Sequence, residues 1–164
     1  MSILYVMVGV PGSGKSTWIR NQYLNDQYVV ASTDNLVEKY AAEVGKTYSE
    51  VFEEYMPTAV KLMADDVVEA RDAEKHIIWD QTSTTVASRA RKIRMLPEYY
   101  KIAIVFKTPP TAEHQKRLAR GGKIVPWDVV SKMAQQLEAE PVSLDEGFNE
   151  IWYMDDNGNL QGAE

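Results

Sequence analysis

The chain has 164 residues, no Cys, two His, and 24 acidic against 18 basic side chains, for a formal net charge of −6. That length suits one domain, and 45% hydrophobic with 26% charged residues excludes wholesale disorder and collagen-like or mucin-like composition. Without Cys there is no disulfide framework, zinc ribbon, iron–sulfur cluster or thiol nucleophile, and a reducing compartment suits the chain.

The first apolar run, Ile3 to Val8, is preceded by no positive segment and stops at Gly9, far short of a membrane span. A soluble, cytoplasmic protein with no membrane contact is therefore expected. Further short runs at 28–31, 76–79, 102–106 and about 150–154 are too brief and too rich in β-branched or aromatic residues for helices. Helical patterns alternate with them at roughly 15–25, 35–44, 49–73, 84–94, 111–121 and 126–139. In the longest, Phe52, Met56, Ala59, Met63, Val67 and Ala70 recur at three- and four-residue steps and so share a face, while Pro57 predicts a kink or a restart. Residues 1–154 read as one domain, and 155–164 as a polar C-terminal tail with a turn at Asn157-Gly158. Buried strands alternating with helices predict an α/β fold, a central parallel sheet with helices on both faces. Ligands in such sheets bind beyond the C-terminal ends of the strands, which directs attention to the residues after positions 8, 31, 79 and 106.

After the first strand comes Gly9-Val10-Pro11-Gly12-Ser13-Gly14-Lys15-Ser16-Thr17, a full match to G-x-x-x-x-G-K-[ST]. Glycines at these places let the backbone curl until successive N–H groups face phosphate oxygens, and the helix that follows adds its positive end. Lys15 then reaches the β- and γ-phosphates, and the Ser16 hydroxyl takes one position on Mg²⁺. ATP or GTP with Mg²⁺ is the implied ligand, in a P-loop NTPase fold of the adenylate-kinase-like, three-layer kind.

The second strand ends in Ser32-Thr33-Asp34-Asn35. Asp34 either caps the next helix, with Asn35 and Glu38 as a capping pair, or accepts the proton of an attacking hydroxyl. The third ends in Trp79-Asp80-Gln81-Thr82-Ser83-Thr84, where Asp80 stands as the metal-holding carboxylate of a Walker-B strand and Ser83 or Thr84 is the nearer helix cap. Thr82 is placed to hydrogen-bond substrate.

Residues 89–123 carry ten cations against Glu98 and Glu113, so that block is +8 and the remainder −14. Arg89, Arg91, Lys92 and Arg94 read as a solvated helix face. Lys116-Arg117-Leu118-Ala119-Arg120-Gly121-Gly122-Lys123 reads either as a basic helical lid that closes over a triphosphate or as a helix that ends in Arg with a glycine cap. Tyr48, Phe52 and Tyr55 are core residues of a helix face or a surface on which a base stacks. His76 and His114 have no partners at ligand spacing and carry no assigned chemistry.

Taken together, the P-loop through Trp18, Thr33-Asp34, Trp79-Asp80-Gln81-Thr82, and the run from Lys116 to Pro126 resemble the kinase domain of bacteriophage-type polynucleotide 5′-hydroxyl kinases, over about residues 3–139. The resemblance implies transfer of the ATP γ-phosphate to the 5′-OH of DNA or RNA, as in nucleic-acid repair. It implies Asp34 as general base, Lys15 and Ser16 as phosphate and Mg²⁺ ligands, and Arg120 as the lid arginine, with Gly9, Gly12, Ser13, Gly14, Thr17, Arg117 and Lys123 around the nucleotide and Asp80 in the acceptor or metal site. Members often carry an Arg one turn beyond the base to grip the substrate's own phosphate, where this chain has Val37 and Glu38. No D-x-D-G-[TV] motif occurs, so trimming of 3′ ends is not expected. The charge distribution predicts weak, salt-sensitive, end-directed nucleic-acid binding.

Overall fold

A computed structural model describes residues 1–120 and 123–164. The Gly121-Gly122 break expected in the lid lies outside the described residues. The chain folds as β1 (Ile3–Val8), α1 (Lys15–Arg20), β2 (Tyr28–Ala31), α2 (Thr33–Val44), α3 (Tyr48–Asp72), β3 (His76–Trp79), α4 (Val86–Met95), β4 (Tyr100–Phe106), α5 (Thr111–Arg120), α6 (Trp127–Ala139), β5 (Glu150–Met154) and β6 (Leu160–Ala163), with a 3₁₀ turn at Leu144–Glu146.

The sheet order is β2-β3-β1-β4-β5-β6. The first five strands are parallel, with Val6 opposite Trp79 and Val8 opposite Val105, so β1 lies at the centre and delivers the P-loop between its neighbours' ends. Alternate residues of β1 feed two cores, as the two-residue strand period requires. Leu4, Val6 and Val8 meet Met63, Val67 and Ala70 of α3, with Ile93 of α4 and Leu137 of α6. Met7 faces the other way, toward Trp18 and Ile19 of α1.

Several expectations need correction. The stretch read as a polar tail forms β6, which pairs antiparallel with β5, Tyr153 opposite Gly162. The turn between them is at the expected place: Asp155 Oδ1 accepts the N–H groups of Asn157 and Asn159 at 2.8 and 2.9 Å, and Gly158 takes φ 82°. α3 runs through Pro57 without restarting. It starts at a reciprocal cap, Thr47 Oγ1 accepting from Glu50 N and Glu50 Oε1 from Thr47 N, each 3.2 Å. Its buried face uses Val51 where the periodicity suggests Phe52, which is 41% exposed. α1 ends at Arg20 rather than near 25.

The basic block is not one solvated surface. Arg89 is fully buried, and its guanidinium donates to Glu146 Oε1 at 2.8 Å, the Ser83 carbonyl at 3.0 Å and the Glu140 carbonyl at 2.8 Å. Lys92 is buried over the Trp79 ring, 5.5 Å from its centroid, and Lys101 donates to the Tyr99 carbonyl at 2.8 Å. No helix among the described residues is long and apolar enough to cross a membrane.

Candidate active site

At the C-terminal end of β1 the chain turns through Gly12 at φ 78° and Gly14 at φ 104°, angles that glycine adopts without strain. Gly9 is required for a different reason: a Cβ there would lie 2.6 Å from Ser13 Oγ and 3.1 Å from Phe106 Cβ. Its N–H donates to the Thr82 carbonyl at 3.0 Å, which ties the loop to the end of β3. α1 starts with no side-chain cap among the described residues, which leaves its first-turn N–H groups available at the loop.

Lys15 is buried, and its ammonium donates to the Gly9 and Val10 carbonyls at 2.7 and 2.9 Å. Burial brings its pKa down to about 8, although Asp80 and Asp34 oppose the fall and Lys123 adds to it. Asp80 responds in the opposite sense: burial raises its carboxyl above the usual range, Lys15 restrains the rise, and Asp34 adds to it. These mutual effects place Lys15, Asp34, Asp80 and Lys123 in one electrostatic neighbourhood.

Asp34 does not cap α2. Ser32 does, its hydroxyl accepting from Asn35 N at 3.2 Å, so the Asp34 carboxylate is exposed in the first turn and free for other contacts. Tyr48, the first residue of α3, donates its hydroxyl to Asp34 Oδ1 at 2.6 Å. Asp34 Oδ2 lies 3.8 Å from Lys123 Nζ, which makes a closer pair with Glu38 at 2.7 Å. The same ammonium stands over the Tyr48 ring, 4.8 Å from its centroid. Tyr55 stacks on Tyr40 at 4.0 Å against the core between α2 and α3, as a core residue would.

Neither Ser83 nor Thr84 caps α4; Thr85 does, accepting from Ser88 N at 3.2 Å. That leaves Asp80 and the half-buried Thr82 side chain free of capping duty, while the Thr82 carbonyl holds Gly9. On α5, Arg117 pairs with Glu113 at 3.1 Å and with Asp156, in the β5–β6 turn, at 3.8 Å. Arg120 is 71% exposed, its nearest carboxylate being Glu113 at 3.6 Å. Ser16 and Thr17 are exposed in the first turn of α1.

No cluster of three or more His, Asp or Glu side chains that could hold a metal exists among the described residues. The oxygen donors Ser16 and Asp80 fit a hard cation that takes most of its shell from phosphate and water, which is the usual way Mg²⁺ binds. An unpaired helix start and an ammonium held only by carbonyls fit a polyphosphate.

Two contacts at this site have no signal in the sequence. His114 is buried, with Nε2 2.6 Å from the Pro11 carbonyl oxygen, and its ring packs edge-on against Trp127 at 5.3 Å. Tyr48 reaches Asp34 only because α2 and α3 pack side by side. His76 is structural, its Nδ1 accepting from Ile3 N at 3.0 Å.

Among solved structures, the fold is similar to one from a study of the PezAT chromosomal toxin–antitoxin system of Streptococcus pneumoniae, at 16% identity and TM-score 0.72, covering 99% of this chain and 72% of that one. It is also similar to a chain of the Pnkp1/Rnl/Hen1 complex at 22% identity and TM-score 0.53, covering 76% of this chain and 40% of that one. A third is the tunicamycin resistance protein of Deinococcus radiodurans, at 18% identity and TM-score 0.50, covering 84% and 81%. No curated protein matches the sequence. The family model described as an AAA domain, AAA_33, matches residues 4–141. The chain belongs to this AAA-domain family, as a P-loop kinase-like nucleotide-binding domain.

Proposed function

We propose that the protein is a phosphotransferase that moves the γ-phosphate of ATP to the 5′-hydroxyl of DNA or RNA, with Asp34 as its general base. The observation that carries the reading is the exposed Asp34 carboxylate at the head of α2, freed from capping by Ser32 and sharing its surroundings with Lys15 and Asp80. Asp34 takes the proton of the acceptor hydroxyl, whose oxygen forms the new bond to the γ-phosphorus. The bond from phosphorus to the β,γ-bridging oxygen breaks, and ADP leaves with that electron pair. Lys15, turning from the Gly9 and Val10 carbonyls, and Arg120 neutralise charge on the transferring oxygens. Mg²⁺, held through Ser16 and Asp80, supplies further charge neutralisation when bound.

The nucleic-acid acceptor is supported by the order and spacing of the four sequence motifs. Burial of Arg89, Lys92 and Lys101 leaves few cations to follow a backbone, so contact is restricted to the first nucleotides of a chain end. A second reading, phosphorylation of a nucleoside, modified base or sugar-nucleotide hydroxyl, is favoured by one feature: where members of the resembled family often carry an arginine this chain has Val37 and Glu38, and Glu38 pairs with Lys123.

Labelled ATP offered with 5′-OH oligonucleotides and with these small acceptors separates the readings. Label on the oligonucleotide is expected. Label on a small acceptor alone would replace the first reading with the second, and phosphate released only to water would replace both with an ATPase or switch. Asp34→Asn should lower acceptor phosphorylation by about 10²- to 10⁴-fold, the loss typical of a general base, with ATP affinity little changed. Arg120→Ala should raise the KM for ATP or depress kcat; a variant unchanged in both would return Arg120 to a helix-end role.

A further inference from the structure

Asp34 sits in an exposed first helical turn, where a carboxylate ordinarily samples several rotamers, yet its two oxygens are differently occupied. Oδ1 accepts the Tyr48 hydroxyl at 2.6 Å, a short charge-assisted bond. Among the described residues, Oδ2 meets only the Lys123 ammonium at 3.8 Å, beyond hydrogen-bond reach, and that ammonium is committed to Glu38 at 2.7 Å. The carboxylate is therefore held at one oxygen and available at the other.

Tyr48 is itself restrained. The Lys123 ammonium stands over its ring, 4.8 Å from the centroid, and the tilted Phe52 ring packs against it with centroids 5.5 Å apart. Its backbone position is set by the Thr47 and Glu50 cap that starts α3. The hydroxyl is a reliable donor, because burial and the neighbouring Asp34 and Glu38 carboxylates raise its pKa far above the ordinary tyrosine range. Such a phenol never competes with Asp34 for the substrate's proton at physiological pH.

We propose that Tyr48 is the positioning residue of the phosphoryl-transfer site: its hydroxyl locks the Asp34 carboxylate through Oδ1 so that Oδ2 faces the acceptor hydroxyl. The inference rests on Asp34 acting as the base. It assigns the two oxygens separate duties, one structural and one chemical, and it ties α3 to catalysis although no sequence motif lies there. Holding a reacting group in one orientation removes the rotamer search from the barrier.

The test is a double-mutant cycle on the full chain, combining Tyr48→Phe with Asp34→Asn and read by single-turnover phosphorylation of whichever acceptor the wild type labels. Tyr48→Phe keeps the ring, the packing against Phe52 and the Lys123 contact while deleting one donor. In the wild-type background it should lower kcat about ten- to a hundredfold, the range for a lost hydrogen bond to a charged group, with the KM for ATP within twofold. In the Asp34→Asn background the same substitution should change the rate by less than twofold, because nothing remains to be oriented as a base. Equal losses in both backgrounds would overturn the proposal and reduce Tyr48 to a packing residue, as would an unchanged kcat in Tyr48→Phe alone. If Asp34→Asn retained wild-type activity, the base assignment itself would fall, so the two failures are distinguishable. Thermal melting of both single variants, expected within a few degrees of wild type, guards against a folding defect.

Discussion

His114 Nε2 lies 2.6 Å from the carbonyl oxygen of Pro11, so a buried imidazole on α5 props the outer arc of the P-loop. The same ring crowds Gly12, where an added Cβ would come within 3.3 Å of His114 Cδ2 and 3.2 Å of Leu118 Cδ2. The helix that carries Arg117 and Arg120 is thereby coupled to the loop expected to hold the phosphates. His114→Ala removes both the donor and the packing, leaving the Pro11 carbonyl unpaired in a half-buried position. Its expected cost is about 1–3 kcal/mol of stability. Titration with a nucleotide should show affinity weakened by a similar factor; a variant that binds as well as wild type would make the contact a matter of packing alone.

Gly9→Ala should be harmful for a reason separate from backbone conformation. The new methyl would collide with Ser13 Oγ at 2.6 Å and press on Phe106 Cβ at 3.1 Å. Overpacking of this kind typically costs about 1–3 kcal/mol. Ser13 Oγ is buried without a hydrogen-bond partner, so Ser13→Ala should itself be tolerated and should recover part of the Gly9→Ala loss. Urea denaturation of the two single variants and the double variant checks this; strictly additive effects would mean that the clash is relieved elsewhere.

The Arg89–Glu146 pair predicts a larger effect. Arg89 bridges α4, the Ser83 carbonyl, the Glu140 carbonyl and the 3₁₀ turn. Arg89→Met would strand Glu146 and two carbonyls, with an expected loss of about 3–5 kcal/mol. Arg89→Lys should rescue little, since one ammonium lacks the planar fork that reaches all three partners. The loss should extend to nucleotide binding, because Ser83, at φ 49°, follows the residue whose carbonyl anchors Gly9. Melting temperatures with and without ATP would detect both components.

Lys92 carries a pH signature. Burial first, then Arg91 and Arg89, bring its pKa from 10.5 to about 8. Below pH 8 the ammonium is charged in both folded and unfolded chains, and the folded state bears the cost of burying it. Between about 8 and 10.5 the unfolded chain holds the proton that the folded one has released, so Lys92 makes stability rise with pH in that window. Lys92→Met removes the charge and keeps the length over Trp79. It should stabilise the protein at pH 7 by about 1–3 kcal/mol, the range for replacing buried ions with packed apolar groups. The advantage should shrink as pH approaches 10. An advantage that stays constant from pH 7 to 10 would show that the lysine reaches water.

The elements that position the site are legible in the sequence because each obeys a local rule. β1 is an apolar run closed by glycine, the P-loop is a spacing of fixed residues, and α3 repeats its buried positions every three or four steps. The alternation of strands and helices then implies the parallel sheet, and the ends of β1, β2 and β3 bring Lys15, Asp34 and Asp80 into one electrostatic neighbourhood. What is not legible depends on long-range placement. Arg89 reads as solvated because neighbouring cations surround it in the chain, while its carboxylate partner lies 57 residues away. β6 has polar, exposed positions and becomes a strand only because β5 offers an unpaired edge. Ser32 rather than Asp34 caps α2, since the helix starts two residues earlier than its apolar pattern implies.

Lys15, tethered to the Gly9 and Val10 carbonyls, gives the loop a means of discriminating among anions by valence. Any anion that recruits the ammonium must first detach it from two short bonds, a toll that is the same for every comer. A lone orthophosphate offers few oxygens in return, whereas a triphosphate spreads three charged groups along the loop and the start of α1. A fixed release cost of this kind would weigh most against small anions and least against a chain of phosphates.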